Sequence, residues 1–294
     1  MTQIAPLIYA RTYQCDFNTG FLVKPDDFFS SDVQWAREKV LSATAEIDLL
    51  NGFRWVIAKK ENRFIAGIVC FIKDLVKSAQ LTDEELKEAQ SYFTDDKGRR
   101  IYAFIGLSIS DNKEPLKTDF SYEYFWNTFK KFVEPVWKAK SIDTIPGQYT
   151  EYVPNKIENI TKPNILCEEI NNVKYYEQNP KTDKLLFDYY LQEAVNMNVN
   201  FCSNIEDINV LKRQKFSIVT TKQNNIERLR EQHNESSKEE VYYSVKEPSM
   251  SKPSSSSNDT AKKKRAKTTN KYSKFVPILG IIIVVLILVI VLLK

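Results

Sequence analysis

The sequence predicts a mixed α/β (or α+β) body followed by a single C-terminal transmembrane helix. Three observations carry that expectation. Two nearly continuous apolar runs, FIAGIVCFIK at 64–73 and RIYAFIGLSIS at 100–110, read as strands buried on both faces. Around them strand-like and helix-like segments alternate in short steps, the pattern of a layered α/β domain with a mixed sheet and flanking helices. Finally, Phe275 to Leu293 is an unbroken apolar run of 19 residues. At 1.5 Å per residue this spans roughly 28 Å, close to the hydrocarbon core of a bilayer.

The elements follow in order. Leu7–Phe17 alternates loosely and reads as a strand, with Arg11 on the face of Tyr9, Tyr13 and Cys15. Phe21–Val23 reads as a short second strand. Ser31–Ala45 reads as a helix capped by Ser31, with Val33, Ala36 and Val40 in its apolar stripe. Phe53–Lys59 and Phe64–Lys73 form an antiparallel hairpin around a four-residue loop, Lys60–Arg63. Thr82 and Glu85 make a capping box that opens a helix to about Phe93. Asp95–Arg99 turns at Gly98 into the strand Arg100–Ser110.

Tyr122–Trp137 is the clearest amphipathic helix. Tyr122, Phe125, Trp126, Phe129, Phe132, Val133, Val136 and Trp137 recur at spacings of three and four, a core stripe that Pro135 ends or kinks. Residues 139–171 are irregular. Beyond them lie a strand Val173–Glu177, a helix Asp183–Met197, a strand Val199–Cys202, and a helix Ser203–Lys212 opened by Ser203 and Glu206 as a second capping box. A strand Phe216–Thr221 and a helix Asn224–Gln232 complete the body. The body is read as 1–233, with subdomains 1–140 and 165–233 as an alternative division.

From Asn234 the composition turns to Ser, Lys, Asn, Thr and Glu, with Pro248, Pro253 and the run Ser254–Ser257. Residues 234–274 read as a disordered linker. Its prolines exclude a heptad-patterned helix running into the membrane. The linker ends in a basic collar, Lys262, Lys263, Lys264, Arg265, Lys267, Lys271 and Lys274, with no acid among them. KKKRAK also matches a nuclear-localisation pattern, but beside an apolar span it reads as a juxtamembrane collar on anionic lipid. The positive-inside rule then places the body in the cytoplasm. Met1–Ala10 has no signal-peptide pattern. The layout is that of a tail-anchored, single-pass membrane protein, with the membrane unspecified.

The charge balance divides the chain. The net charge is +4, and the collar with Lys294 supplies eight positive charges, so the remainder carries −4. An acidic body argues against nucleic acid as a partner.

Composition also excludes chemistry. The single histidine, His233, rules out any site built on two imidazoles, and it falls in the linker, where nothing would fix it as a base. The seven glycines are too dispersed for a P-loop or a dinucleotide turn. The cysteines Cys15, Cys70, Cys167 and Cys202 form no CxxC pair and read as buried reduced thiols. The acidic pairs Asp26-Asp27, Glu84-Glu85, Asp95-Asp96 and Glu168-Glu169 sit in turns and first helical turns, where capping accounts for them. The sequons at Asn159, Asn234 and Asn258 are chance matches in a cytosolic chain.

What remains as a candidate site is Arg11, Asp16 and Arg54, polar groups in half-buried strands, read as a ligand-binding or ion-paired set. No catalytic, metal or cofactor constellation is visible. The functional expectation is a membrane-anchored α/β binding or adaptor module, with lipid at its collar and a protein or small ligand at its body. The alternatives are a sensor whose transmembrane helix perturbs the membrane, or a tethered enzyme using carboxylates and arginine.

Overall fold

In a computed structural model of the chain, the described residues are 2–17, 20–110, 116, 120–152 and 160–244, with side chains described to 235. They build one mixed sheet between two layers of helices. The strands are β1 (Gln3–Ala10), β2 (Val23–Pro25), β3 (Arg54–Lys60), β4 (Arg63–Phe71), β5 (Tyr102–Ser110), β6 (Ile145–Gly147), β7 (Thr150–Glu151), β8 (Cys167–Ile170), β9 (Val173–Glu177), β10 (Asn200–Cys202) and β11 (Ile218–Thr221). Their order across the sheet is β6-β2-β1-β5-β4-β3-β10-β11-β9-β8, with β7 beside the start of β1.

The centre is an antiparallel ladder of long strands, β1-β5-β4-β3. The second half is a small parallel set, in which β10, β11 and β9 run the same way. The two halves meet where β10 pairs antiparallel with β3, Cys202 opposite Val56. Residues 1–140 and 165–233 therefore share one sheet, and Met1–Val245 forms one compact unit.

The apolar pattern explains the layers. Every residue of β4 after Arg63 is buried. Its alternate side chains feed opposite cores: Phe64, Ala66, Ile68 and Cys70 on one face, Ile65, Val69 and Phe71 on the other. The first face is covered by α2 (Ile72–Ser78), α3 (Asp83–Ala89), α4 (Tyr122–Val133) and α5 (Pro180–Glu193). The second is covered by α1 (Ser30–Ala43), α6 (Ile208–Arg213) and α7 (Gln223–Ser244). The stripe on α4 is core as expected, with Phe125, Trp126, Phe129 and Val133 buried. Helix α4 gives way to a 3-10 turn at Glu134–Val136, where Pro135 breaks the α hydrogen bonding. In the centre of the ladder Gly67 faces Gly106. A Cβ on Gly67 would come under 3.0 Å from Ile105 O and Gly106 Cα, so the two strands approach here as only glycine permits.

Several boundaries differ from the sequence reading. β1 is Gln3–Ala10, not Leu7–Phe17. It includes Pro6, which is tolerated because the Ile8 carbonyl faces the outer side and takes the Leu22 N–H. Even-numbered residues of β1 therefore point outward, and Pro6 lies between the short outer partners β7 at Ile4 and β2 at Ile8. The hairpin loop is two residues, Glu61 and Asn62, because Lys60 and Arg63 still pair. Helix α1 begins at Ser30 after Phe29, so Ser31 is not its cap. The Thr82–Glu85 capping box is present. The second capping box is not: Asp207 caps α6, and the Ser203 hydroxyl instead accepts the Trp55 N–H at 2.8 Å. Helix α7 runs to Ser244, carrying His233 on a helix and extending past the expected start of the linker.

The collar residues Lys262–Lys274 and the run 275–293 lie outside the described residues, as do Asn159 and Asn258. Among the described residues no helix is long and apolar enough to cross a membrane.

Candidate functional site

One end of the sheet gathers the unusual polar residues. There β1, β4, β9, β10 and β11 finish and β3 and β5 begin, so Arg11, Arg54 and Arg100 all emerge at this rim.

Arg54 is almost fully buried on the first turn of β3 from the rim. Its Nη1 donates to the carbonyls of Ala43 and Ala45 at 2.7 and 2.8 Å, and its Nε to Asn204 O at 3.0 Å. Ala43 is the last residue of α1, so the guanidinium satisfies carbonyls that a helix end leaves open. Burial lowers its pKa from the usual arginine range. Arg54 takes part in none of the ion pairs of the described residues. It is a helix cap tied to a loop, not half of an Arg–Asp pair.

Arg11 and Asp16 belong to a different cluster. The Arg11 guanidinium donates to Arg100 O and lies beside the contacting rings of Phe17 and Tyr102, at 5.6 and 5.7 Å from their centroids. Its Nε is 3.8 Å from Asp95 Oδ2 and has no hydrogen-bond partner. Asp95 is buried and holds the turn at Gly98. It accepts the N–H groups of Lys97 and Arg99 at 3.0 and 2.8 Å and Arg99 Nε at 2.7 Å. Arg99 also reaches Asp16 at 3.0 Å. Burial alone would raise the pKa of Asp95 and of Asp16. The Arg99 guanidinium and backbone N–H groups outweigh it, and both carboxyls are held below the usual range. Arg11 and Asp16 are thus linked through Asp95 and Arg99, while Arg54 stands apart.

The residues that sequence reasoning missed lie at the carboxyl ends of the parallel strands. β9 leads to α5 on one face of the sheet, whereas β11 leads to α7 on the other. Such a divergence between neighbouring strands is where open α/β sheets form ligand crevices. Here it falls between β9 and β11, and it is lined with polar groups. Asn204 stands in the left-handed region at φ 55°, its N–H bonded to Thr220 Oγ1 at 2.8 Å. Gln178 reaches Glu206 at 3.1 Å, and Lys222 pairs with the same carboxylate. Asp183, in the first turn of α5, is 3% exposed. Its Oδ1 has no hydrogen-bond partner, and the same is true of Gln178 Oε1 and Asn204 Oδ1. All three orphaned atoms are acceptors. Burial pushes the Asp183 carboxyl up to about 6, opposed only by the Thr220 hydroxyl and a backbone N–H. Its position looked like an ordinary acidic helix start. Only the pairing of β9 with β11 reveals that the turn is enclosed.

Several of the other titratable groups have structural uses. Cys70 and Cys202 are buried, and desolvation drives both thiols upward, Cys202 to about 12. Cys167 is exposed on β8, against the expectation of a buried thiol, and Cys15 is half-buried. Asp27 holds Arg63 through two oxygens, Glu85 completes its capping box, and Glu168 pairs with Arg230. Among the described residues no group of three or more His, Cys, Asp or Glu could hold a metal.

Comparison with known proteins adds no relative: the chain matches no protein-family model, no curated protein and no solved structure. The site rests on its own geometry.

Proposed function

We propose that this protein is a membrane-tethered α/β binding module. Its anchor is the apolar run 275–293 with the basic collar before it, and its body lies on the cytoplasmic side. The ligand-holding part is the rim of the sheet, at the crevice between β9 and β11.

The observation that carries the binding reading is Asp183, a buried carboxyl with an unpartnered oxygen at a strand-connection divergence; Gln178, just past β9, and Asn204, just past β10, add two more orphaned acceptors at this end of the parallel strands. Native proteins leave few such groups unsatisfied, and a donor-bearing ligand completes them. The acceptor-only chemistry selects for N–H or O–H donors, an amine or amide above all. Of the two candidate arginines, Arg54 is fully engaged by three carbonyls, which turns it to structure.

The test is mass spectrometry of what co-purifies with the detergent-solubilised full chain and with its Asp183→Asn variant. A species retained by the native chain and lost from the variant supports the reading. Equal retention by both, or none by either, sinks the assignment to this crevice.

A further inference from the structure

We infer that the cavity beside α2 is a second, separate binding site, for a phosphate group borne on an apolar or planar moiety. The cavity has a volume of about 390 Å³ and is lined by Phe71, Lys73, Asp74, Lys77, Phe93, Thr94, Arg100 and Ile101. That is within the range of small-molecule sites, roughly 300–1,000 Å³. It lies at the same rim, where β4 ends and β5 begins, shares no lining residue with the Asp183 crevice, and does not depend on that crevice or on the anchor.

Charge decides its ligand. Three cations, Lys73, Lys77 and Arg100, meet one carboxylate in the lining, Asp74, and Arg100 also pairs with Asp48, which leaves an excess of one positive charge in a body that is acidic overall. The other two described cavities are different. Around Arg63, the cations Arg63 and Lys60 are paired with Asp27 and Asp32. In the cavity between α1 and α6, Lys215 is paired with Glu38. Lys73 and Lys77, by contrast, make no ion pair or hydrogen bond among the described residues. They stand one turn apart on α2, where like charges repel. A bound anion removes that repulsion.

Geometry narrows the anion to phosphate. The Arg100 guanidinium carbon lies 3.9 Å from the Phe71 ring centroid, a cation–π contact that holds the side chain at the cavity wall. Its one hydrogen bond among the described residues is Nη2 to Asp48 at 3.1 Å, so its other N–H groups can meet an anion. A phosphate monoester carries roughly −1.5 to −2 charges and three acceptor oxygens, one for each of the three donor side chains Lys73, Lys77 and Arg100. Phe93 and Ile101 supply apolar wall for the group that bears it. Both a soluble phosphoryl compound and a phosphorylated lipid headgroup present this chemistry.

The experiment is amine-reactive footprinting of the full chain in phosphatidylcholine nanodiscs, read by peptide mass spectrometry. One arm adds ATP. The other replaces part of the lipid with phosphatidylinositol 4-phosphate. Labelling of Lys73 and Lys77 is expected to slow in one arm, which identifies the source, while the exposed Lys181 and Lys212 label unchanged. In Arg100→Gln the probe concentration needed for protection rises about tenfold, the loss of one charge-assisted contact. The inference is overturned by unchanged labelling of Lys73 and Lys77 in both arms. Equal protection of Lys181 and Lys212, or protection undiminished in Arg100→Gln, overturns it as well.

Discussion

Arg54 and Asp183 are both buried ionisable residues at one rim of a sheet, and they have opposite effects on stability. Arg54 joins three carbonyls from two distant segments. Arg54→Met keeps the apolar stem and strips those bonds, leaving the end of α1 and the Asn204 turn unsatisfied. The expected loss is about 3 kcal/mol or more, read as a fall in the urea midpoint at unchanged m-value. Asp183 lacks a cation. Its folded-state pKa of about 6 lies above its ordinary value of 3.8. The folded state therefore holds this proton more tightly than the unfolded state, and ionisation of Asp183 subtracts stability as pH rises from about 4 to 6. Asp183→Asn abolishes that dependence. Its stability relative to the native chain is expected to grow by up to about 3 kcal/mol between pH 4 and pH 7, measured by urea unfolding at both. A flat difference would show that the carboxyl is not desolvated. Neither role was legible from the sequence. An arginine in a strand announces that it needs partners, but those of Arg54 lie 9, 11 and 150 residues away.

The elements themselves were far more legible than their ends. Continuous apolar runs gave β4 and β5, and the three-and-four spacing gave α4, because burial on both faces and on one stripe leave different periods. Val173–Glu177 coincides with β9. Errors came where a local signal has two readings. Ser203 and Glu206 match a capping box, yet Ser203 serves the β3–β10 seam through Trp55 N, and that partner is 148 residues away. β1 begins at Gln3, ahead of the expected Leu7, and holds Pro6 on its outer side. At this scale the sharpest test is Gly67→Ala. The new methyl meets backbone of β5, which cannot rotate aside, so the central ladder must spread, at a cost of about 1–3 kcal/mol. Gly20→Ala, with nothing within 4 Å of its Cβ position, is the matched control and should leave the thermal midpoint unchanged.

For the whole molecule, the contrast between long antiparallel strands and short parallel ones predicts unequal local stability. Amides of β4 and β5 are expected to exchange with solvent only on global opening, whereas those of β8 and β6 exchange first, as hydrogen exchange read by mass spectrometry would show. The mixed sheet and its flanking helices were foreseeable from alternating patterns. The join between the halves was not, because pairing of β3 with β10 spans about half the chain and leaves no local trace. The proposed anchor makes its own prediction. Deleting 275–293 releases the chain from sedimented membranes, while neutralising the collar lysines weakens association only with anionic lipid, and less so at high salt.

The two outermost strands of the sheet have a consequence for a crowded surface. The Ile145 N–H of β6 donates to Leu22 O, just before β2, which turns the nitrogen of Pro146 to the outside. At the opposite margin β8 carries Glu169, beside a Glu168 that Arg230 neutralises. One margin thus lacks a donor where a new strand would dock, and the other sets a charge there. Copies packed side by side in a thin layer, as tethering would pack them, meet at margins that resist growth into a shared ribbon, so dense display and aggregation are kept apart by Pro146 and Glu169.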